Sequence, residues 1–244
     1  MKLDDVKKLH QKKYRSQFGF YLVEGEHLVL ELQKSVAGTP KNTITLYVTE
    51  AYGAFAERLG PSFETVMVTD KQMAKLSDTK SPQGIIACVP LPNERSQLST
   101  QTRSIYLHEI QDPGNLGTIM RTLAWFDGFR LLLSPQSVDP FNSKVVRSSM
   151  GAIFHVPLEL EVQLSELKER FNSFAYLDMQ GESINAPAFE NYECYLFGNE
   201  ARGVPTNALS DFNADPFTIP GCGAIDSLNV ASALNMCAYQ LSIK

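Results

Sequence analysis

Apolar residues along this chain fall into two kinds of run. Short continuous runs have the length and character of buried strands: ITLYV (Ile44 to Val48), TVMV (Thr65 to Val68) and GIIACV (Gly84 to Val89), then SIYLH (Ser104 to His108), RLLLS (Arg130 to Ser134), FAYLD (Phe174 to Asp178) and CYLFG (Cys194 to Gly198). Between them apolar positions recur at helical spacing. Helices are predicted around Glu26 to Ser35 and Tyr52 to Leu59, and from near Asn115, Asn142, Leu164 and Ser227. Continuous rather than alternating strands, separated by helices, predict an α/β protein whose sheet is mostly parallel and covered on both faces. The polar, Pro-bearing stretch Pro90 to Arg103 interrupts the alternation and marks a domain boundary. It divides the chain into a small α/β domain (1–91), a linker (92–103) and a larger α/β domain (104–244).

A chain of 244 residues with 43% hydrophobic content can bury a substantial core. No window approaches the roughly 20 apolar residues of a membrane span, and the N-terminus is charged with no apolar segment behind it. A soluble, cytoplasmic protein with no membrane partner is expected. The cysteines, Cys88, Cys194, Cys222 and Cys237, lie far apart, as do the histidines, His10, His27, His108 and His155. Neither set has the spacing of a disulfide framework or a zinc site, so reduced thiols and no metal are expected. The net charge of −5 argues against coating nucleic acid by bulk charge. It leaves room for a local patch, and Lys7, Lys8, Lys12, Lys13 and Arg15 crowd one short segment that could neutralise phosphates. A solvated helix face is an equal reading of that segment.

In parallel sheets ligands gather at the loops leaving the carboxyl ends of strands. Three such loops stand out. In QDPGNLGTIMRTLAWFDG (Gln111 to Gly128), Leu116, Ile119, Met120, Leu123 and Phe126 make a helical stripe with Gly128 as a stop, and Arg121 flanks it within reach of a phosphate or carboxylate. Its bland alternative is a surface ion pair, and that of Asn115 is a helix N-cap. In LFGNEARGVP (Leu196 to Pro205), Gly198 and Gly203 permit close approach to the backbone and Glu200 adds a carboxylate. A simple turn after a strand explains those glycines equally. In IPGCGAIDSLNVASAL (Ile219 to Leu234), Gly221 and Gly223 loosen a loop and Asp226 or Ser227 can cap the next helix. Leu228, Ala231, Leu234, Cys237, Ala238 and Leu241 then form the buried face of that helix. Asn229 is left with a further polar duty.

Together NLGTIMRT, LFGNEARG and IPGCGAIDSLNVASAL resemble, in order, the three signature motifs of the SpoU (TrmH-type) branch of the SPOUT RNA methyltransferases. FYLVEGEHLVLE and SPQGIIACV look like the substrate-binding domain of its rRNA-modifying members. The third motif lacks the second Ser that members often carry after Asn-Val, and Thr118 stands where a small apolar residue is common. The resemblance implies an L30e-like N-terminal RNA-binding domain and a C-terminal parallel sheet tied in a trefoil knot, with dimerisation through the knotted domain.

It also implies S-adenosyl-L-methionine as cofactor, held by main chain near Leu196, Gly198, Gly203, Ile219, Gly223, Leu228 and Ala231, and methyl transfer to a ribose 2′-hydroxyl of RNA, rRNA rather than tRNA. Arg121 is implied at the centre of that step, with Asn115, Glu200, Ser227 and Asn229 around it. A guanidinium titrates above about 12, so Arg121 is expected to grip a phosphate and stabilise the forming alkoxide, not to act as a base. Two rival classes are a catalytically silent RNA-binding relative and a nucleotide-dependent enzyme on a doubly wound sheet. The latter lacks its Gly-rich fingerprint here.

Overall fold

The computed structural model describes residues 1–36, 44–92, 102–225 and 227–243. In chain order its regular elements are α1 (Leu3–Lys8), α2 (Lys12–Phe18), β1 (Phe20–Glu24), α3 (Glu26–Ser35), β2 (Ile44–Val48), α4 (Gly53–Arg58), β3 (Phe63–Met67), α5 (Asp70–Leu76), β4 (Ile85–Pro90), β5 (Arg103–Leu107), α6 (Pro113–Phe126), β6 (Phe129–Leu133), α7 (Ser143–Ser148), β7 (Leu158–Glu159), α8 (Glu166–Arg170), β8 (Phe174–Ser183), β9 (Cys194–Phe197), β10 (Ala214–Thr218) and α9 (Val230–Ser242). They form two compact units: Met1–Asn93 with Asp139–His155, and Glu94–Val138 with Val156–Lys244. Most of the predicted linker, residues 93–101, lies outside the described residues.

The first unit carries a four-stranded sheet in the order β1-β4-β2-β3. β2 and β3 are parallel, and β4 runs antiparallel to both β1 and β2. β4 is buried along Ile85 to Val89, as its uninterrupted apolar run predicts. Helix α5 has too few apolar residues to announce itself by periodicity. A capping box starts it: Thr69 Oγ1 accepts from the Gln72 N–H, and Gln72 Oε1 accepts from the Thr69 N–H at 2.8 Å.

The segment Asp139–His155, which lies inside 104–244 in sequence, packs with this unit. Asn142 caps α7 by accepting from the Lys144 and Val145 N–H groups, both at 3.0 Å, and the Phe141 ring meets Tyr21 of β1 at 4.9 Å between centroids.

The second unit is built on a six-stranded, all-parallel sheet in the order β10-β8-β9-β5-β6-β7. Its central strands are buried on both faces, with Tyr106, Leu132, Phe174, Cys194 and Leu196 in one core cluster. β10 was not legible as a strand because Pro216 interrupts its short run, and the structure places it at the sheet edge, where a missing N–H breaks no central ladder. The carboxyl ends of β5, β6 and β9 finish level with one another, Leu107 pairing with both Leu133 and Phe197. Residues that follow these three strands therefore meet at one edge of the sheet, however far apart they are in sequence.

Candidate active site

Helix α6 rises from the loop after β5. Its N-cap is Asp112, whose Oδ1 accepts from the Asn115 N–H at 2.8 Å, with Pro113 in the first turn where its missing N–H costs nothing. The capping reading of Asn115 is thus taken by another residue, and the side chain of Asn115 is left for other partners. The Asp-Pro pair just before the apolar-periodic run was the available sequence signal for this cap.

The turn after β9 lies beside that loop because β5 and β9 are neighbours. Glu200 Oε1 accepts from the Asn115 side-chain amide and from the Asp112 N–H, each at 3.2 Å, and Oε2 accepts from the Gln111 N–H at 3.2 Å. Glu200 is held by the hairpin-like turn Asn199 to Gly203, whose ends pair through both backbone bonds, 3.0 and 2.8 Å. Gly198 just before it and Gly203 at its end are required by packing and by conformation, respectively. A Cβ on Gly198 would lie 2.2 to 2.3 Å from the backbone of Gly203 and Val204, and Gly203 adopts φ 68°. The buried Asn199 stitches the turn: its Oδ1 accepts from the N–H groups of Ala201 and Arg202 at 2.9 and 3.1 Å, while its amide donates to the Glu109 carbonyl at 2.7 Å. Sequence reasoning missed Asn199, Glu109, Gln111 and Asp112, because their roles arise only when the two strand ends are adjacent.

The third motif joins through Asn229. The expected cap was Asp226 or Ser227; Asp226 lies outside the described residues, and the structure assigns the capping role to Asn229, whose Oδ1 accepts from the Ala231 and Ser232 N–H groups at 3.0 and 3.2 Å. Its amide meanwhile donates to Asn115 Oδ1 at 2.9 Å. Glu200, Asn115 and Asn229 thereby form one hydrogen-bonded chain linking all three motifs. Helix α9 then runs along α6, with Thr122 and Asn235 sharing a short hydrogen bond.

Arg121 is exposed on α6 and makes no hydrogen bond or ion pair among the described residues, so no surface ion pair with any of them explains it. Ser227 is exposed and likewise makes no hydrogen bond among those residues. Neither is bonded to the Glu200–Asn115–Asn229 chain.

The residues expected around a cofactor divide. Gly223, like its neighbour Gly221, has open space where a Cβ would stand, Ile219 is half-buried, and Leu228 is 44% exposed. Leu228 precedes α9 instead of joining its buried face. Leu196 is fully buried within the sheet, and Ala231 is buried on α9 with its N–H donated to the Asn229 cap.

Among the basic residues of the first segment, Lys7, Lys8, Lys12 and Lys13 are exposed. Lys8 pairs with Asp5 at 2.8 Å, and the ammonium groups of Lys8 and Lys13 both lie 5.7 Å from the Tyr14 ring centroid. Arg15 departs from the expectation. It is 3% exposed, donates to Asp139 at 2.5 Å and to the Leu9 carbonyl at 2.7 Å, and so serves the interior of the first unit, not a phosphate-facing surface.

The four cysteines are unpaired, and burial pushes the thiols of Cys88 and Cys237 up to about 12, which makes them inert.

Against known proteins, the sequence profile of the SpoU rRNA Methylase family matches residues 102–239, and that of the MRM3-like substrate binding domain matches residues 2–87. The chain is 31% identical to the 23S rRNA (guanosine(2553)-2′-O)-methyltransferase RlmP of Bacillus subtilis, over 98% of this chain and 95% of the relative. Its structure is similar to that of a TrmH-family RNA methyltransferase from Porphyromonas gingivalis, with a TM-score of 0.82, 27% identity and coverage of 98% and 96% of the two chains. It shares its fold with the AdoMet-bound rRNA methyltransferase of Sinorhizobium meliloti, with a TM-score of 0.81 at 23% identity over 98% and 93%.

Proposed function

From the premise that the chain belongs to the SpoU rRNA methylase family, we propose that it transfers a methyl group from S-adenosyl-L-methionine to a ribose 2′-hydroxyl of ribosomal RNA. The observation that carries this is the hydrogen-bonded chain Glu200–Asn115–Asn229, which brings the three motifs to one edge of the parallel sheet. The rRNA assignment is supported by the relative named for 23S rRNA and by the substrate-binding profile over residues 2–87.

The segment Ile219 to Ile225, with Leu228, suits the cofactor. It presents glycine backbone with open space and exposed apolar side chains, Ile225 and Leu228, which fit a flat base and a methionine chain held mainly by main-chain groups. Gly198, Ile219, Gly223 and Leu228 are the residues of this chain that would hold it. When bound, S-adenosyl-L-methionine supplies a methyl group on a positively charged sulfur.

Arg121, exposed and without a hydrogen bond or ion pair among the described residues, grips the phosphate beside the target ribose and stabilises negative charge developing on the 2′-oxygen. A permanently protonated guanidinium suits that task and not proton abstraction. Glu200 fixes Asn115, and Asn115 fixes Asn229, so the polar atoms around the reacting oxygen are held before substrate arrives. Residues 104–244 supply this chemistry and 1–91 hold the RNA, with Lys7, Lys8, Lys12 and Lys13 on phosphates.

The protein acts in the cytoplasm as a homodimer whose contact covers Trp125 of α6 and Met236 and Tyr239 of α9; these apolar side chains are exposed in the single chain, Trp125 by 84%. Sedimentation should show a dimer that Trp125→Glu dissociates. Calorimetry tests the cofactor reading: S-adenosyl-L-methionine should bind and NAD should not, and the reverse would refute it.

A further inference from the structure

Glu109, two residues beyond the end of β5, occupies a left-handed backbone conformation, φ 52°, that a non-glycine residue adopts only when its surroundings hold it there. Every polar group it has is engaged. Its N–H donates to Ser134 Oγ at 2.7 Å, its carbonyl accepts from the side-chain amides of Asn199 and Gln111 at 2.7 and 3.0 Å, and its carboxylate holds the Arg202 guanidinium. His108 Nε2 is 3.9 Å from the same carboxylate, too far for a hydrogen bond.

Arg202 stands in the same five-residue turn as Glu200, two positions along, and its side chain is 68% exposed. Glu200 is the one carboxylate in the sequence of that turn, and a bidentate grip by an Arg202 released from Glu109 would draw the Glu200 oxygens from Asn115 and from the Gln111 and Asp112 N–H groups.

We infer that Glu109 is a positioning residue for methyl transfer: it sequesters Arg202 and so leaves Glu200 free to orient Asn115. The exposure of Arg202 means that the pair adds little to folding stability, so its effect lies in which carboxylate the guanidinium occupies.

The inference rests on the methyl-transfer reading, and its test separates the two. Glu109→Gln keeps the shape and removes the charge that holds Arg202. It should lower kcat on the order of tenfold, with the KM for RNA and the melting temperature unchanged, because a small displacement of a positioned group costs rate and not folding. Arg202→Gln alone should retain parent activity, and Glu109→Gln with Arg202→Gln should recover it, since the competing cation is gone. In the cofactor-free protein, the side-chain amide NMR signal of Asn115 should move in Glu109→Gln and return in the double variant. Parent-like kcat in Glu109→Gln, or a double variant as slow as that single one, would overturn the assignment. A parent without methyl transfer would instead refute the proposed function, and the Asn115 signal would then decide the role of Glu109 by itself.

Discussion

The Asn229 side-chain NH2 donates to Asn115 Oδ1 at 2.9 Å while its Oδ1 caps α9, so one residue both starts the last helix and fastens the third motif to the first. These duties use different atoms of one amide, and substitutions can separate them.

Asn229→Asp retains a capping oxygen but has no N–H to give to Asn115. Its melting temperature should stay near that of the parent while the methylation rate falls. Asn229→Ala loses both functions, and loss of the cap should cost about 1 kcal/mol of stability as well. Thermal denaturation alongside single-turnover methylation distinguishes them, and equal rates for Asn229→Asp and the parent would reduce Asn229 to a cap.

Arg121→Ala should fold normally, because the guanidinium makes no bond among the described residues. Loss of a preorganised donor at a developing charge costs roughly 3 to 4 kcal/mol of barrier, several hundredfold in rate. Single-turnover methylation should show that loss while calorimetry gives nearly unchanged affinity for S-adenosyl-L-methionine.

How much of this was legible in advance follows from which interactions are local. Strands β2, β4, β5, β6 and β9 could be read because each is a continuous apolar run, and the buried face of α6 because Leu116, Ile119, Met120 and Leu123 repeat at helical spacing. The motif residues Asn115, Glu200 and Asn229 could be singled out, but not their mutual bonds. Those depend on β5 lying next to β9 and α9 along α6, which no local pattern encodes. Arg15 was misread for the same reason. Its charge fits a basic stretch, and only the fold brings Asp139 to it.

Gly198→Ala should damage the second turn, since its methyl group would collide with the Gly203 carbonyl and the Val204 nitrogen. The expected loss of stability is about 1 to 3 kcal/mol, as for other groups forced into an already packed space. Chemical denaturation measures it, and Gly221→Ala, with open space around it, is the control that should cost far less.

The basic segment should divide by burial. Neutralising Lys7, Lys8, Lys12 and Lys13 to Gln should weaken RNA binding and flatten its salt dependence by up to about 3 in the slope of log K against log salt, with little effect on stability. Arg15→Ala should do the opposite. It leaves the Asp139 carboxylate, 12% exposed, without its partner, and should cost about 3 to 5 kcal/mol of stability. Filter binding across a salt series and urea denaturation read the two effects.

The most direct measurement of the central claim follows a labelled methyl group. The protein is incubated with ribosomal RNA lacking its modifications and S-adenosyl-L-methionine labelled on the methyl carbon, and the product is hydrolysed with alkali. A methylated 2′-oxygen cannot attack the neighbouring phosphate, so label should appear in alkali-resistant dinucleotides, and Arg121→Ala should abolish most of it. Label confined to mononucleotides would place the methyl on a base and contradict the account, as would its absence from the RNA.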